Sequence, residues 1–122
     1  MIIGIGTDMI EVARIEKACL RKRFMERVYT QEESSFCQPY PEKAAGNFAV
    51  KEAVVKVFQT GFIGVEPNEI EVLRRSNGSP YLNLYGKAKE KAKELGITKW
   101  HISITNVKTY AVAFVIGEGE SI

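Results

Sequence analysis

The stretch Glu42-Lys43-Ala44-Ala45-Gly46-Asn47-Phe48-Ala49-Val50-Lys51-Glu52-Ala53-Val54-Val55-Lys56-Val57-Phe58 decides the fold. It is long, mostly apolar and free of proline, and it follows Pro41, a residue suited to the first position of a helix. Gly61 stands where such a helix should stop. Ala45, Phe48, Val55 and Phe58 are spaced to share one helical stripe, so the helix needs a surface to lie on. The flanking sequence supplies one. Ile2–Thr7 reads as a buried strand, short, rich in isoleucine and punctuated by glycines, with Asp8 at its C-terminal edge. Glu69–Arg75 and Tyr81–Tyr85 alternate on either side of Asn77-Gly78, a pair that accepts positive φ at both central turn positions and predicts a hairpin. Lys99–Thr105 and Tyr110–Ile116 read as two more strands joined by a turn. Shorter helices are expected at about Glu11–Leu20, Arg23–Tyr29 and Gly86–Leu95, and after Thr30, where Thr30-Gln31-Glu32-Glu33 has the capping-box pattern. The class is therefore α+β, a small, mostly antiparallel sheet packed against the long helix.

The chain has 122 residues, 45% hydrophobic and 26% charged, with no repeat or linker, which predicts a single domain over residues 1–122. Seventeen Lys and Arg against fifteen Asp and Glu leave a net charge of +2, too small to imply a nucleic-acid or membrane partner. The longest purely apolar run, Ala111–Ile116, is far short of the ~20 residues of a membrane span. The start lacks a basic signal-peptide region, and Cys19 and Cys37 lack metal-binding spacing, so a cytoplasmic protein with reduced, packing cysteines is expected. Positive charge gathers in Arg14, Lys17, Arg21, Lys22, Arg23 and Arg27, opposed only by Glu16 and Glu26. That window is either a solvated face or one that steers an acidic partner, with Met25 and Phe24 as an apolar centre unless Phe24 belongs to the core. The Lys87, Lys89, Lys91, Lys93 run, interleaved with Glu90 and Glu94, reads as solvated surface.

Lys51, Glu52 and Lys56 sit inside the otherwise apolar helix and need compensation. Glu52 and Lys56, four apart, can pair as an ordinary surface ion pair. Asp8 can cap the helix that follows it. Alternatively, Asp8 and Glu52 together form the sparse oxygen site that Mg2+ uses when substrate phosphates and water complete its coordination. Along Lys99–Asn106, Trp100, Ile102 and Ile104 fall on one face and His101, Ser103 and Thr105 on the other, a polar row that suits solvent as well as a ligand.

The segments Ile5-Gly6-Thr7-Asp8-Met9-Ile10-Glu11, Arg14-Ile15, Phe48-Ala49-Val50-Lys51-Glu52-Ala53 with Lys56, Asn77-Gly78-Ser79-Pro80 and His101-Ile102-Ser103-Ile104-Thr105 resemble, in order and spacing, the holo-acyl-carrier-protein synthase family of the 4'-phosphopantetheinyl transferase superfamily. The resemblance implies transfer of 4'-phosphopantetheine from coenzyme A to a serine of apo acyl carrier protein, releasing adenosine 3',5'-bisphosphate, in fatty acid biosynthesis. It also implies Mg2+ held by Asp8 and Glu52, with Lys56 at the pyrophosphate and leaving group. Lys51 would face another phosphate or a neighbouring subunit. Asn77, Gly78, Pro80, His101 and Thr105 would lie at the nucleotide, and Arg14, Arg21 and Met25 at the acidic carrier. A homotrimer with coenzyme A between subunits is expected on the same ground. Asn47 and Asn106 stand where the family commonly has arginine and histidine; asparagine can hydrogen-bond a phosphate but brings no charge. Two rivals stand beside this reading: a non-catalytic module for an acidic partner, and the same transferase acting on polyketide or peptide-synthase carriers.

Overall fold

The computed structural model describes residues 1–120. Strand β1 (Ile2–Glu11) leads into helices α1 (Val12–Ala18), α2 (Lys22–Val28), α3 (Gln31–Cys37) and the long α4 (Pro41–Phe58). A 3-10 turn, Pro67–Glu69, opens strand β2 (Ile70–Arg74), which pairs with β3 (Pro80–Leu84); α5 (Gly86–Glu94), β4 (Ile97–Asn106) and β5 (Tyr110–Gly119) complete the chain. All pairing is antiparallel, in a three-stranded sheet of order β1-β5-β4 and a separate β2-β3 hairpin. The α+β expectation holds.

The sheet lies directly on α4 because its inner face is built from small residues. Gly4, Gly6, Asp8 and Ile10 alternate on β1, and Ala111, Ala113, Val115 and Gly117 on β5. At Gly6 the helix comes closest: a Cβ there would stand 2.0 Å from the Ala53 carbonyl oxygen. Bulkier Trp100, Ile102 and Ile104 of β4 pack against the same core. The helix itself is buried almost all round, not on one stripe, since the sheet covers one side and α1, α3 and β2 the others. After its first turn only Phe48, Glu52 and Lys56, one row of residues four apart, reach the surface. Phe48 therefore lies off the stripe expected to bury it.

Several boundaries moved for local reasons. β1 runs on through Asp8 to Glu11 because the in-out alternation continues, with Met9 outward and Ile10 inward, so Asp8 is a mid-strand residue opposite Ala113 rather than an edge or a helix cap. α4 stops at Gln59, which takes the left-handed conformation (φ 62°) before Gly61 is reached. The Asn77-Gly78 turn has positive φ at Gly78 alone (φ 90°). Gly78 N donates to Arg75 O, and Asn77 Oδ1 accepts from Ser79 N and Oγ, which makes a wider loop than the two-residue turn expected. The capping box at Thr30 and Glu33 is formed as read.

Candidate functional site

Strand β1 and helix α4 bring three of the candidate residues to one place. Asp8 projects from the inner face of β1 toward the exposed row of α4, and Lys56 Nζ donates to Thr7 O at 2.8 Å and meets Asp8 Oδ1 at 3.4 Å. Burial pushes the Asp8 carboxyl above its ordinary range, an effect opposed by the charge and hydrogen bond of Lys56. Burial pushes Glu52 up too, and the charge of Asp8 pushes it further, against the pull of Lys56 and Arg14. Two carboxylates that raise each other's cost of ionisation thus share a site with two cations. The expected Glu52–Lys56 pair does not form; Lys56 turns to Asp8, and Glu52 makes no ion pair among the described residues.

A cleft of about 590 Å³ adjoins these groups. Asp8 and Glu52 are not in its wall; Ile10, two residues past Asp8, and Phe48, one turn before Glu52, connect them to it. Arg14, Lys17 and Arg21 line the rest together with Ile15, Ala18, Leu20 and Phe24. Phe24 stacks on Phe48 with centroids 6.1 Å apart and has the Arg21 guanidinium 6.0 Å above its ring, so it is at once a core contact and the apolar floor of a basic cleft. All six basic residues of the window are exposed. Met25 is not among them in space: it lines a separate cavity with Cys19 and Cys37, whose thiol burial pushes up to about 12. Both cysteines are free thiols.

Other residues expected at the site lie elsewhere on the chain. Lys51 is the clear correction. It is wholly buried, its Nζ 2.7 Å from Glu33 Oε1, and it also donates to the carbonyls of Pro67 (3.0 Å) and Ile70, so it can face neither phosphate nor subunit. Asn47 is equally buried, its amide donating to Glu33 Oε2 (3.0 Å) and Val72 O (2.9 Å), and is closed to a phosphate. Asn106 donates to Glu42 O. Asn77, Gly78 and Pro80 form the tip of the β2-β3 hairpin. His101, 2.7 Å from Glu118 Oε1, and Thr105 stand on the outer face of the sheet, opposite the face that carries Asp8. Sequence reasoning missed Glu33, seen only as a cap. The signal was there in a lysine placed among alanines and valines, which requires a buried carboxylate somewhere.

Residues 4–115 match the family model of the 4'-phosphopantetheinyl transferase superfamily. The chain is 57% identical over 118 residues to a holo-[acyl-carrier-protein] synthase of Lachnoclostridium phytofermentans, covering 97% of each, and 43% identical over 122 residues to one of Desulfovibrio desulfuricans, covering 97% and 98%. It is similar in structure to a holo-(acyl-carrier-protein) synthase from Bacillus anthracis in complex with CoA (3',5'-ADP), with 38% identity, TM-score 0.79 and coverage of 98% and 99%. A Helicobacter pylori holo-[acyl-carrier-protein] synthase in complex with coenzyme A gives 30% identity, TM-score 0.81 and coverage of 93% and 99%.

Proposed function

The chain belongs to the 4'-phosphopantetheinyl transferase superfamily, and on that premise we propose how its residues move 4'-phosphopantetheine from coenzyme A to a serine of apo acyl carrier protein. The serine Oγ attacks the phosphorus that bears the pantetheine arm, the bond to adenosine 3',5'-bisphosphate breaks, and the serine proton is lost, leaving holo carrier for fatty acid biosynthesis. The whole chain acts as one such domain. The observation that carries this reading is the meeting of Asp8, Glu52 and Lys56 beside a basic cleft with an apolar floor.

Two half-buried, mutually repelling carboxylates from separate elements fit a small hard cation that takes its other oxygens from phosphates and water. Asp8 and Glu52 would hold Mg2+, which when bound neutralises charge on the diphosphate. Lys56, already at this spot, places an ammonium where a leaving phosphate oxygen gains charge. Arg14 and Arg21 line the adjoining cleft, where they attract the acidic carrier and aim its serine at the carboxylate pair.

His101 and Thr105 face away from Asp8, so they, and the Asn77-Gly78-Pro80 tip, serve the nucleotide of a neighbouring copy. That outer sheet face is also apolar and open, with Ile5 67%, Met9 65% and Phe114 58% exposed. Both features favour a homotrimer with coenzyme A between subunits. Among the described residues no helix is long and apolar enough to cross a membrane; the free thiols and the coenzyme A substrate suit the cytoplasm.

The experiment is mass spectrometry of apo carrier proteins incubated with this chain, coenzyme A and Mg2+. Fatty-acid carrier should gain one phosphopantetheine. Gain only on polyketide or peptide-synthase carriers would change the acceptor, and unchanged mass on every carrier would leave a binding module.

A further inference from the structure

The transfer chemistry makes no use of the most deeply buried charges in the fold. Glu33 and Lys51 have no exposed side-chain surface. Glu33 Oε1 accepts from Lys51 Nζ and, at 3.1 Å, from Thr30 N, while Oε2 accepts from Asn47 Nδ2. Lys51 and Asn47 then reach on to Pro67, in the 3-10 turn before β2, and to Ile70 and Val72, at the start and middle of β2. A buried ion pair of this kind stabilises a fold little more than apolar residues of equal volume would, so its placement calls for another explanation.

The placement is specific. Asn47 and Lys51 are four apart on one row of α4, and Phe48, Glu52 and Lys56 form the next row, about 100° round the axis. Elsewhere the buried surface of α4 is alanine, valine and glycine apart from Phe58, whose contacts are non-directional and resist rotation of the helix weakly. Hydrogen bonds to a charged hub do resist it. We propose that Glu33, Lys51 and Asn47 are positioning residues for Glu52: a buried clamp that fixes the angle at which α4 offers this carboxylate to Asp8 and to the divalent cation. The clamp rests on the metal role proposed for Asp8 and Glu52, and its test separates the two.

Mn2+ is titrated into the full chain with coenzyme A present, and free ion is read by its paramagnetic resonance. The double variant Glu33→Gln/Lys51→Met removes both charges and leaves neither unpaired. With native circular dichroism it should bind Mn2+ about tenfold more weakly, the size of effect seen for residues that orient metal ligands. Native affinity in the folded double variant overturns the clamp. If that variant does not fold, Asn47→Ala, which keeps the ion pair, decides: weakening by about threefold or more is expected, since the hydrogen bonds to Glu33 and Val72 are both lost, and unchanged affinity overturns the proposal. Glu52→Gln serves as the reference. Full Mn2+ affinity in that variant refutes the metal role itself, and the clamp with it.

Discussion

Replacing Gly6 by alanine tests whether the spacing of β1 and α4 controls the reaction. The new methyl carbon would stand 2.0 Å from the Ala53 carbonyl oxygen and 2.9 Å from its carbon, both backbone atoms of the helix. Ordinary contact begins at 3.4 Å, so strand and helix must part by about 1.4 Å, an overpacking that costs on the order of 1–3 kcal/mol. In a chain of this size that lowers Tm by about 4–12 °C. Asp8 is two residues further along the strand and Glu52 is the residue before Ala53, so the separation falls between the two carboxylates. The clamp on the far side of α4 prevents the helix from simply rotating to restore the gap. A misplacement of 1 Å at reacting groups costs on the order of 100-fold in rate, and that is the loss expected in the carrier mass-shift assay at saturating Mg2+. Gly4→Ala is the control. Its methyl would meet Val57 Cγ1 at 3.1 Å and Val57 O at 3.2 Å, a conflict of a few tenths of an ångström, and the rate should stay within about threefold. Full activity with an unchanged melt in Gly6→Ala would refute the spacing argument. Equal losses in the two variants would show that any methyl on the strand does the damage.

Two further outcomes follow from the charges. Burial and the neighbouring Asp8 raise the folded Glu52 carboxyl above its ordinary value of 4.5. The folded chain thus keeps this proton longer than the unfolded one, and the stability it lends is full below about pH 4.5 and lost as pH rises through the folded value. In divalent-free buffer at neutral pH, Glu52→Gln should raise Tm, a gain that vanishes in acid, while transferase activity is lost; a lower Tm at neutral pH would contradict the repulsion. Arg14→Glu with Arg21→Glu should raise the carrier KM at least tenfold, since like charges then face each other, and leave coenzyme A binding near normal. Equal losses for both substrates would move the docking face elsewhere.

The hydrophobic rhythm of the strands and the capping box at Thr30 were readable because each depends on neighbours in sequence. Asp8 was readable as a candidate for the site but not as a mid-strand residue: a charge looks like the end of a strand unless Lys56, 48 residues away, is known to stand beside it. Lys51 and Glu52 illustrate the same limit more sharply. Adjacent and both charged, they differ only in which side of α4 they leave from, and nothing local says which side is covered by α3 and β2. Glu33 declared its local bonds to Thr30 and hid its long-range ones. Met25 and Phe24, neighbours in the basic window, part into different cavities for the same reason.

Strand β1 carries two messages on alternate residues. Ile5, Thr7 and Met9 address whatever covers the outer sheet, while Gly6 and Asp8 address the helix. A slip of one residue against β5 would exchange the two sets entirely. The strand can therefore tolerate little drift in evolution: in the trimer proposed above, a change that tunes assembly would disturb the backbone that aims the proposed metal carboxylate, and a molecule wedged into that contact would silence the transfer without ever touching Asp8.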